Sequence, residues 1–208
     1  MIALINSGIC NLASVTNALE RVGAAVEIAD KPERLRQADA VILPGVGAFA
    51  DGMESLRGRG FVEPLRDAAR VGKPILGICL GMQLLVERSD EHGSHPGLGL
   101  LPGSARRMVA DQPGFRVPNI GWCDVSCGKV GALYPAAGPA GTFYFVHSYY
   151  VETAPANVVA TIEFSGRRLP AALEKGNICG VQFHPEKSQD SGLDLLARWV
   201  ASLAVAKR

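Results

Sequence analysis

The sequence lacks any concentration of charge of one sign. Its 21 basic and 20 acidic residues leave a net charge of +1, and no block of like charge occurs along the chain. Binding to nucleic acid or to an anionic membrane surface depends on such concentrations of charge. The composition therefore gives neither function any electrostatic support.

A long uninterrupted apolar run is also missing. The longest stretch without a formal charge, Val130 to Val151, is broken by several glycines and prolines, which would interrupt a spanning helix. The apolar start Met1-Ile2-Ala3-Leu4-Ile5 has no basic residue before it, and the first one is Arg21. A secretory signal needs a positive start, so we expect a cytoplasmic protein.

The cysteines do not form a recognisable framework. The chain has five, an odd number, at scattered positions: Cys10, Cys79, Cys123, Cys127 and Cys179. Such spacing does not suggest a disulfide scaffold. Cys123 and Cys127 lie close together, but no second Cys or His pair has the spacing of metal ligands. We therefore expect neither a bound metal nor a cofactor.

The first half of the chain alternates between strand and helix patterns. Short apolar runs predict strands at Ile2–Ile5, Ala25–Ala29, Ala40–Leu43 and Pro74–Ile78. Helical patterns fall between them: one capped by Asn11, one after Asp51, and one over residues 61–71. A further helix is expected from Leu80 to about Arg88. Apolar strands separated by helical crossovers are typical of a parallel, doubly wound α/β sheet.

The second half reads differently. Residues 89–103 are rich in glycine and predict a loop, and closely spaced strand patterns follow it. These strands suggest antiparallel additions to the sheet, and a last helix is expected from about Ser191. No linker or internal repeat is apparent, so residues 1–208 are expected to form a single domain. The expected strands are Ala105–Val109, Gly121–Val125, Thr142–Val146, Val158–Phe164, Ala171–Glu174 and Cys179–Phe183.

The strongest chemical signal is Gly77-Ile78-Cys79-Leu80-Gly81, between a predicted buried strand and a predicted helix. A nucleophile elbow needs such a turn, which presents the nucleophile at the carboxyl edge of the sheet. Small residues on either side let the backbones approach closely, and the helix N-terminus favours a thiolate. The pattern makes Cys79 a candidate nucleophile; a buried structural cysteine is the alternative.

A nucleophilic cysteine needs a base, and His184 is the best placed of the four histidines. His92 and His95 lie in the glycine-rich loop, and His147 fits a core or rim position. His184 follows a predicted strand and precedes Pro185, which favours an extended backbone at His184. Residues two apart then project to the same side, so Glu186 is placed to orient the ring. A strand-end histidine beside a solvated glutamate is the alternative.

Two further elements are expected at the same edge of the sheet. Pro44-Gly45-Val46-Gly47 follows the third strand, where glycines allow a backbone N–H to face a developing oxyanion beside the N–H of Leu80. Gln83 lies one helical turn after Cys79 and is a candidate contact for a polar substrate. An ordinary strand-to-helix turn and an exposed helix glutamine are the respective alternatives.

Together, these motifs resemble the class I, triad-type glutamine amidotransferases. The matching segments occur in that family's order and span most of the chain: Pro44 to Phe49, Gly77 to Gln83, and Gly180 to Ser188. The resemblance implies a three-layer α/β fold with a flavodoxin-like, open and mainly parallel sheet that carries antiparallel additions in its C-terminal half. It also implies a Cys79–His184–Glu186 triad that hydrolyses L-glutamine.

The resemblance assigns further roles within the site. The oxyanion hole would be formed by backbone N–H groups of Leu80 and of the loop Gly45, Val46 and Gly47. Gln83 and Glu91 resemble the ligands for the amino-acid end of glutamine, and main-chain groups near Ser148 and Tyr149 would complete the pocket.

Other stretches narrow the resemblance to glutaminase subunits of histidine biosynthesis, which form a heterodimer with a (β/α)8-barrel cyclase. These stretches are Asn11 to Val15, Val117 to Trp122 and Tyr144 to Tyr149. The cyclase joins the ammonia to a nucleotide, giving imidazole glycerol phosphate and an aminoimidazole carboxamide ribotide. Lys187 and Asn11 are the expected partner-contacting residues. The sequence departs from the pattern at Ser7, Cys10 and Cys123, positions expected on the partner-facing side.

Three other functions fit parts of the sequence. The nearest is a related glutaminase that supplies ammonia to a different synthase, such as one amidating a nucleotide-linked sugar. A cysteine peptidase or esterase would also use a Cys–His pair, but the order of the three motifs argues against it. A non-catalytic binding module would have no need for Cys79, His184 and Glu186 together.

Overall fold

Short strands that are buried on both faces form the centre of the fold. In the first strand, Ile2 and Leu4 pack into one apolar core, while Ala3 and Ile5 pack into another. Successive side chains of a strand point to opposite faces, so a run of apolar residues requires cover on both sides of the sheet.

The computed structural model describes residues 1–205. The strands are β1 (Ile2–Ile5), β2 (Val26–Ala29), β3 (Ala40–Gly45), β4 (Ile75–Cys79), β5 (Val86–Ser89), β6 (His95–Pro96), β7 (Leu101–Arg107), β8 (Asn119–Cys127), β9 (Gly138–His147), β10 (Tyr149–Glu152), β11 (Val158–Phe164), β12 (Arg167–Lys175) and β13 (Ile178–Val181). The α-helices are α1 (Leu12–Arg21), α2 (Arg34–Gln37), α3 (Phe49–Gly58), α4 (Val62–Arg70), α5 (Leu80–Leu84) and α6 (Gln189–Val205). The last three residues of the expected domain, 206–208, lie outside the described part.

The main sheet has nine strands in the order β2-β1-β3-β4-β13-β12-β11-β8-β9. The first five are parallel, and the remaining four are added in antiparallel fashion. This arrangement confirms the expected α/β fold class. A second, smaller sheet has the order β10-β7-β5-β6.

Helices cover both faces of the main sheet and make three layers. On one face, α1 and α6 contribute Val15, Leu19 and Trp199 to the core. On the other, α3 and α4 contribute Phe49 and Leu65. Each such fully buried side chain stabilises the fold by roughly 1.5–3 kcal/mol relative to its exposed state. The two cores hold the parallel strands rigidly, and with them the edge at which the strands end.

The helix after Cys79 is shorter than predicted. It ends at Leu84, and the chain continues into β5 where the sequence pattern predicted helix to about Arg88. The carbonyls of Leu84, Leu85 and Val86 accept hydrogen bonds from N–H groups of residues 98–101. Tertiary pairing thus takes the acceptors that a longer helix would have used, and the predicted extension is wrong.

The predicted loop over residues 89–103 is also partly wrong. It contains β6 and the start of β7, which join β5 and β10 in the small sheet. The four-residue helix α2 and the strand β10 were also not predicted. The helix α2 is a single turn, too short for a 3.6-residue period to show, and β10 follows β9 after one residue, Ser148, with no glycine or proline to mark a new strand. Within residues 1–205, no helix is long and apolar enough to cross a membrane.

Candidate active site

Cys79 lies at a strained turn between β4 and α5. Its backbone has φ 54° and ψ −111°, a conformation that residues with a side chain rarely adopt. A Cβ at Gly81 would overlap the carbonyl oxygen of Leu43, and one at Gly77 would lie 2.7 Å from the backbone nitrogen of Met82. The two glycines therefore permit the close backbone approach that an elbow requires, as the motif predicted.

Parallel pairing of β13 with β4 brings the candidate base to the same edge. Val181 pairs with Ile78, so the chain leaves both strands side by side, with Cys79 and His184 at their ends. His184 is buried, and its ring nitrogen Nδ1 lies 2.7 Å from Oε1 of Glu186. The Cys79 and His184 side chains line one cleft, and Glu186 lies behind the ring.

The surroundings of His184 favour its charged form. Burial by itself lowers the pKa, but hydrogen bonding to Cys79 and Glu186 and their charges outweigh that effect and raise it from 6.5 to about 9. The other ring nitrogen, Nε2, is buried and completes no hydrogen bond of standard geometry within residues 1–205. The sulfur of Cys79 therefore lies near Nε2 outside standard hydrogen-bond geometry, and the negative charge of its thiolate favours a proton on that nitrogen.

The cleft has a volume of about 300 Å³ and collects residues from distant parts of the chain. This size suits a small ligand. The cleft brings together the predicted site residues Val46, Gly47, Cys79, Leu80, Gln83, Glu91, Ser148, Tyr149 and His184, and adds Pro118, Val146 and His147. Of the other predicted residues, Gly45 is buried beneath Leu80, while Asn11 and Lys187 are exposed outside the cleft.

Two of the residues predicted to bind the substrate form hydrogen bonds within the protein. An oxygen of the Glu91 carboxylate accepts a hydrogen bond from the N–H of Phe49, at 2.6 Å, and so caps the N-terminus of α3. Gln83 is buried, and its Nε2 donates to the carbonyl of Tyr149 and to Oε1 of Gln182. The alternative of an exposed helix glutamine is therefore wrong.

The predicted oxyanion loop has one of its donors in use. The N–H of Val46 donates to the carbonyl of Ile9, at 2.9 Å, and Gly47 has φ +95°. Val46 leaves 41% of its surface exposed. Leu80 is the first residue of α5, where backbone N–H groups have no partner within the helix.

Two residues at the site carried no predicted role. Gln182 is fully buried, and its Nε2 lies 3.8 Å from Sγ of Cys79. Its position two residues before His184 in an extended segment was the available signal, because such residues share a side. His147 is buried, with Nδ1 2.8 Å from the carbonyl of Tyr149. Burial lowers its pKa to about 4 and outweighs the hydrogen bond to the Tyr149 carbonyl, which raises the pKa; the charge of His184 lowers it by a smaller amount.

The described part of the chain offers no set of side chains suited to binding a metal ion. No group of three or more His, Cys, Asp and Glu side chains there could hold a metal ion.

Comparison with known proteins agrees with this geometry. Residues 3–201 match the family described as glutamine amidotransferase class-I. A solved structure titled as a crystal structure of glutamine amidotransferase superposes with a TM-score of 0.75 at 21% identity and covers 99% of this chain and 100% of its own. The chain belongs to the class-I glutamine amidotransferase family.

Closer relatives narrow the family further. A protein of Moorella thermoacetica is 47% identical over 94% of this chain and 91% of its own length, and one of Herpetosiphon aurantiacus is 48% identical over 96% and 93%. Both are named imidazole glycerol phosphate synthase subunit HisH. Within the class, the chain groups with these HisH subunits.

Proposed function

We propose that the chain hydrolyses the side-chain amide of L-glutamine and delivers the ammonia to a synthase partner. The observation that carries this proposal is the arrangement at the edge of the sheet. A cysteine at a strained elbow shares a cleft with a buried imidazole whose far nitrogen is held by a carboxylate at 2.7 Å. That is the arrangement of a nucleophile, its base and an orienting group.

The reaction follows from these roles. The proton of the Cys79 thiol passes to Nε2 of His184, which gives the thiolate and the charged ring that the raised pKa favours, and the sulfur then attacks the amide carbon. The tetrahedral intermediate collapses as the C–N bond breaks, and His184 returns the proton to the leaving ammonia. Water then attacks the thioester, with His184 accepting one of its protons, and glutamate leaves. Glu186 holds Nδ1 throughout and stabilises the charged ring.

The oxyanion of the intermediate needs hydrogen-bond donors. The N–H of Leu80, at the start of α5, is the first, and the helix N-terminus adds its partial positive charge. The second would come from the loop Gly45–Gly47. Because the N–H of Val46 is held by Ile9, we propose that this loop must turn before the hole is complete. Activity of the lone chain would then be low, and a complex with partner and substrate showing this hydrogen bond intact would count against the idea.

Glu91 and Gln83 are proposed to bind the amino-acid end of the substrate. A carboxylate pairs well with an α-ammonium group, and both residues line the cleft. Ser148 and Tyr149 line the same cleft, and their main-chain groups are proposed to complete the pocket. A glutamine bound in this way would place its side-chain amide toward Cys79.

The partner is proposed to be the cyclase subunit of imidazole glycerol phosphate synthase, in a heterodimer. The relatives named HisH are subunits of that synthase. Free ammonia would be lost to solvent or protonated, so a docked acceptor is an advantage. The products would be imidazole glycerol phosphate and an aminoimidazole carboxamide ribotide.

An apolar face beside the cleft suits this partner. Ile120 pairs with Val146, and Trp122 with Tyr144, across the exposed side of β8 and β9. Trp122 is 49% exposed, and Val146 belongs to both this face and the cleft wall. Exposed aromatic residues of this kind anchor interfaces. Lys187 and Asn11, both exposed, are the proposed polar contacts.

Ammonia release decides the proposal. The chain would be assayed with glutamine alone, with the cyclase subunit, and with the cyclase and its nucleotide. We expect release to be weak alone and strong with the loaded partner. Cys79→Ala should abolish it under all three conditions, and full activity in that variant would end the proposal.

The same assay separates the alternatives. Activation by an amidating synthase in place of the cyclase would assign the chain to the related glutaminases. Labelling of Cys79 by a glutamine-analogue electrophile, with protection by glutamine, would exclude a peptidase or esterase.

A further inference from the structure

A chain of hydrogen bonds runs behind the cleft and ends at the sulfur of Cys79. Its side-chain members are buried or half-buried, so solvent cannot readily replace a lost partner. In order, the chain joins Asn119, His147, the carbonyl of Tyr149, Gln83, Gln182 and Cys79.

The direction of each bond can be worked out from Tyr149. A carbonyl oxygen only accepts, so His147 must carry its proton on Nδ1, which lies 2.8 Å away. The lowered pKa of His147 keeps the ring neutral, and its Nε2 is then an acceptor. Asn119 Nδ2, 3.3 Å from that nitrogen, supplies the matching donor.

The same carbonyl fixes both glutamine amides. It can bind only the Nε2 side of Gln83, and the second hydrogen of that nitrogen goes to Oε1 of Gln182, 3.0 Å away. With its oxygen facing Gln83, Gln182 turns its own Nε2 toward Cys79, where it lies 3.8 Å from Sγ. Rotating the Gln182 amide would set donor against donor at Gln83 and remove the donor from the sulfur.

We infer that Gln182 is a positioning residue that donates a hydrogen bond to the Cys79 thiolate and at the same time holds the Gln83 amide in its orientation. The inference rests on the proposed function for its meaning in turnover, but the contact itself concerns only the thiol. A hydrogen-bond donor next to the sulfur favours the thiolate. Because Gln182 is fully buried, water does not compete for its amide group.

Other charged and titratable groups also face this sulfur and must be kept constant. His184 is its direct neighbour, with Glu186 behind the ring, and Glu91 and His147 line the same cleft. A substitution at position 182 leaves all four in place. In a variant that adds no charge at position 182, such as Gln182→Met, the effect on the thiol can therefore be assigned to the lost donor.

Alkylation by iodoacetamide tests the contact without glutamine or partner. The rate at Cys79 would be followed from pH 5 to 10 by mass spectrometry of the peptide that carries it, with Cys10 as an internal reference. Gln182→Glu keeps an acceptor for Gln83 but replaces the donor that faces sulfur with a carboxylate oxygen, whose charge also disfavours the thiolate. We expect alkylation of Cys79 at pH 7 to slow about tenfold or more, and the pH of half-maximal rate to rise. The rate at Cys10 should be unchanged.

A second variant separates the two roles and covers a failure of the first to fold. Gln182→Met fills the space but offers neither donor nor acceptor, so it should slow alkylation and, in turnover, also raise KM because Gln83 loses a partner. The matched control is Asn157→Asp, a buried amide outside the cleft that donates to Thr153. It should leave the Cys79 profile unchanged.

The outcomes separate this inference from the proposed function. Wild-type rates and pH profile at Cys79 in folded Gln182→Met overturn the inference, as does an equal slowing in Asn157→Asp. A shifted profile supports it even if the wild-type chain releases no ammonia from glutamine, in which case only the proposed function fails.

Discussion

Gly81 is packed so closely against the backbone that no side chain fits at this position. The added Cβ of Gly81→Ala would overlap the carbonyl oxygen of Leu43, a backbone atom that cannot move aside. We expect the variant to lose about 3 kcal/mol or more of its free energy of unfolding, and its glutaminase activity with it, as measured by denaturant unfolding and ammonia release.

The control for this substitution is Gly58→Ala, at the end of α3. A Cβ there meets no atom within 4 Å, and alanine favours a helix. This variant should be unchanged or more stable by about 0.5–1 kcal/mol. If both variants unfold at the same denaturant concentration, close packing is not the reason for glycine at position 81.

Protonation of His184 links stability to pH. Because its pKa is raised from 6.5 to about 9 in the folded protein, the charged ring stabilises the fold fully below pH 6.5. That contribution is lost as the pH rises through 9. In Cys79→Ala one of the groups that raise the pKa is gone, so the loss should occur at lower pH. Titration of the His184 ring by NMR, with unfolding at several pH values, measures both effects.

The pKa of His147 shifts in the opposite direction, so its effect on stability appears in a different pH range from that of His184. Its pKa is lowered to about 4, and its contribution is lost only as the pH falls from 6.5 toward 4. A His184 ring that titrates near 6.5 in both proteins would contradict the assigned environment.

Among the elements, α3 depends on a residue far away in sequence. Its N-cap residue, Ala48, has no side chain that could cap the helix, and Glu91 binds the N–H of Phe49 in its place. We expect Glu91→Gln to cost about 0.5–1 kcal/mol in unfolding free energy, because a neutral amide interacts less well with a helix N-terminus. If Glu91 also binds substrate ammonium, KM for glutamine should rise.

A second substitution distinguishes the two roles of Glu91. Ala48 has an extended backbone, φ −84° and ψ 150°, which suits a capping serine. Ala48→Ser added to Glu91→Gln should recover stability in thermal unfolding and leave KM raised. Recovery of both would mean that Glu91 acts only as a cap.

The elements also show where prediction from sequence fails. The buried strands β1, β3 and β4 and the elbow motif are local, so their apolar runs and glycines were sufficient. The position at which α5 ends could not be predicted from neighbouring residues, because N–H groups of residues 98–101 bind the carbonyls at its end. The helix α2 was missed because a single turn shows no 3.6-residue period, and β10 because only Ser148 separates it from β9.

For the whole molecule, the exposed face of β8 and β9 predicts where a partner binds. Trp122→Ala should weaken binding of the cyclase subunit about tenfold or more, mainly through faster dissociation. Unfolding of the lone chain should change little, since Trp122 is 49% exposed and its ring packs in a T-shaped arrangement with that of Tyr144 on the surface. Titration calorimetry or surface binding kinetics gives the affinity.

The matched control is Val71→Ala, at the amino-terminal ends of the parallel strands. Val71 is an exposed apolar residue just after α4, at the end of the molecule where β4 begins. Val71→Ala should leave the affinity unchanged. Equal losses of affinity in the two variants would argue against a localised interface.

The proposed contact of Lys187 with a partner carboxylate is tested by mutating both residues, singly and together. Strictly additive losses of affinity would exclude a direct contact.

The sequence by itself determined the chemistry of this protein, because the elbow glycines, the His184-Pro185-Glu186 segment and the apolar strands act through neighbours along the chain. Only the tertiary structure decided which groups meet behind the cleft. Hydrogen bonds from Gln182 to Cys79, between Asn119 and His147, and from Val46 to Ile9 join segments far apart in sequence. Their partners are chosen by strand pairing and burial, and a linear pattern carries no record of those distances.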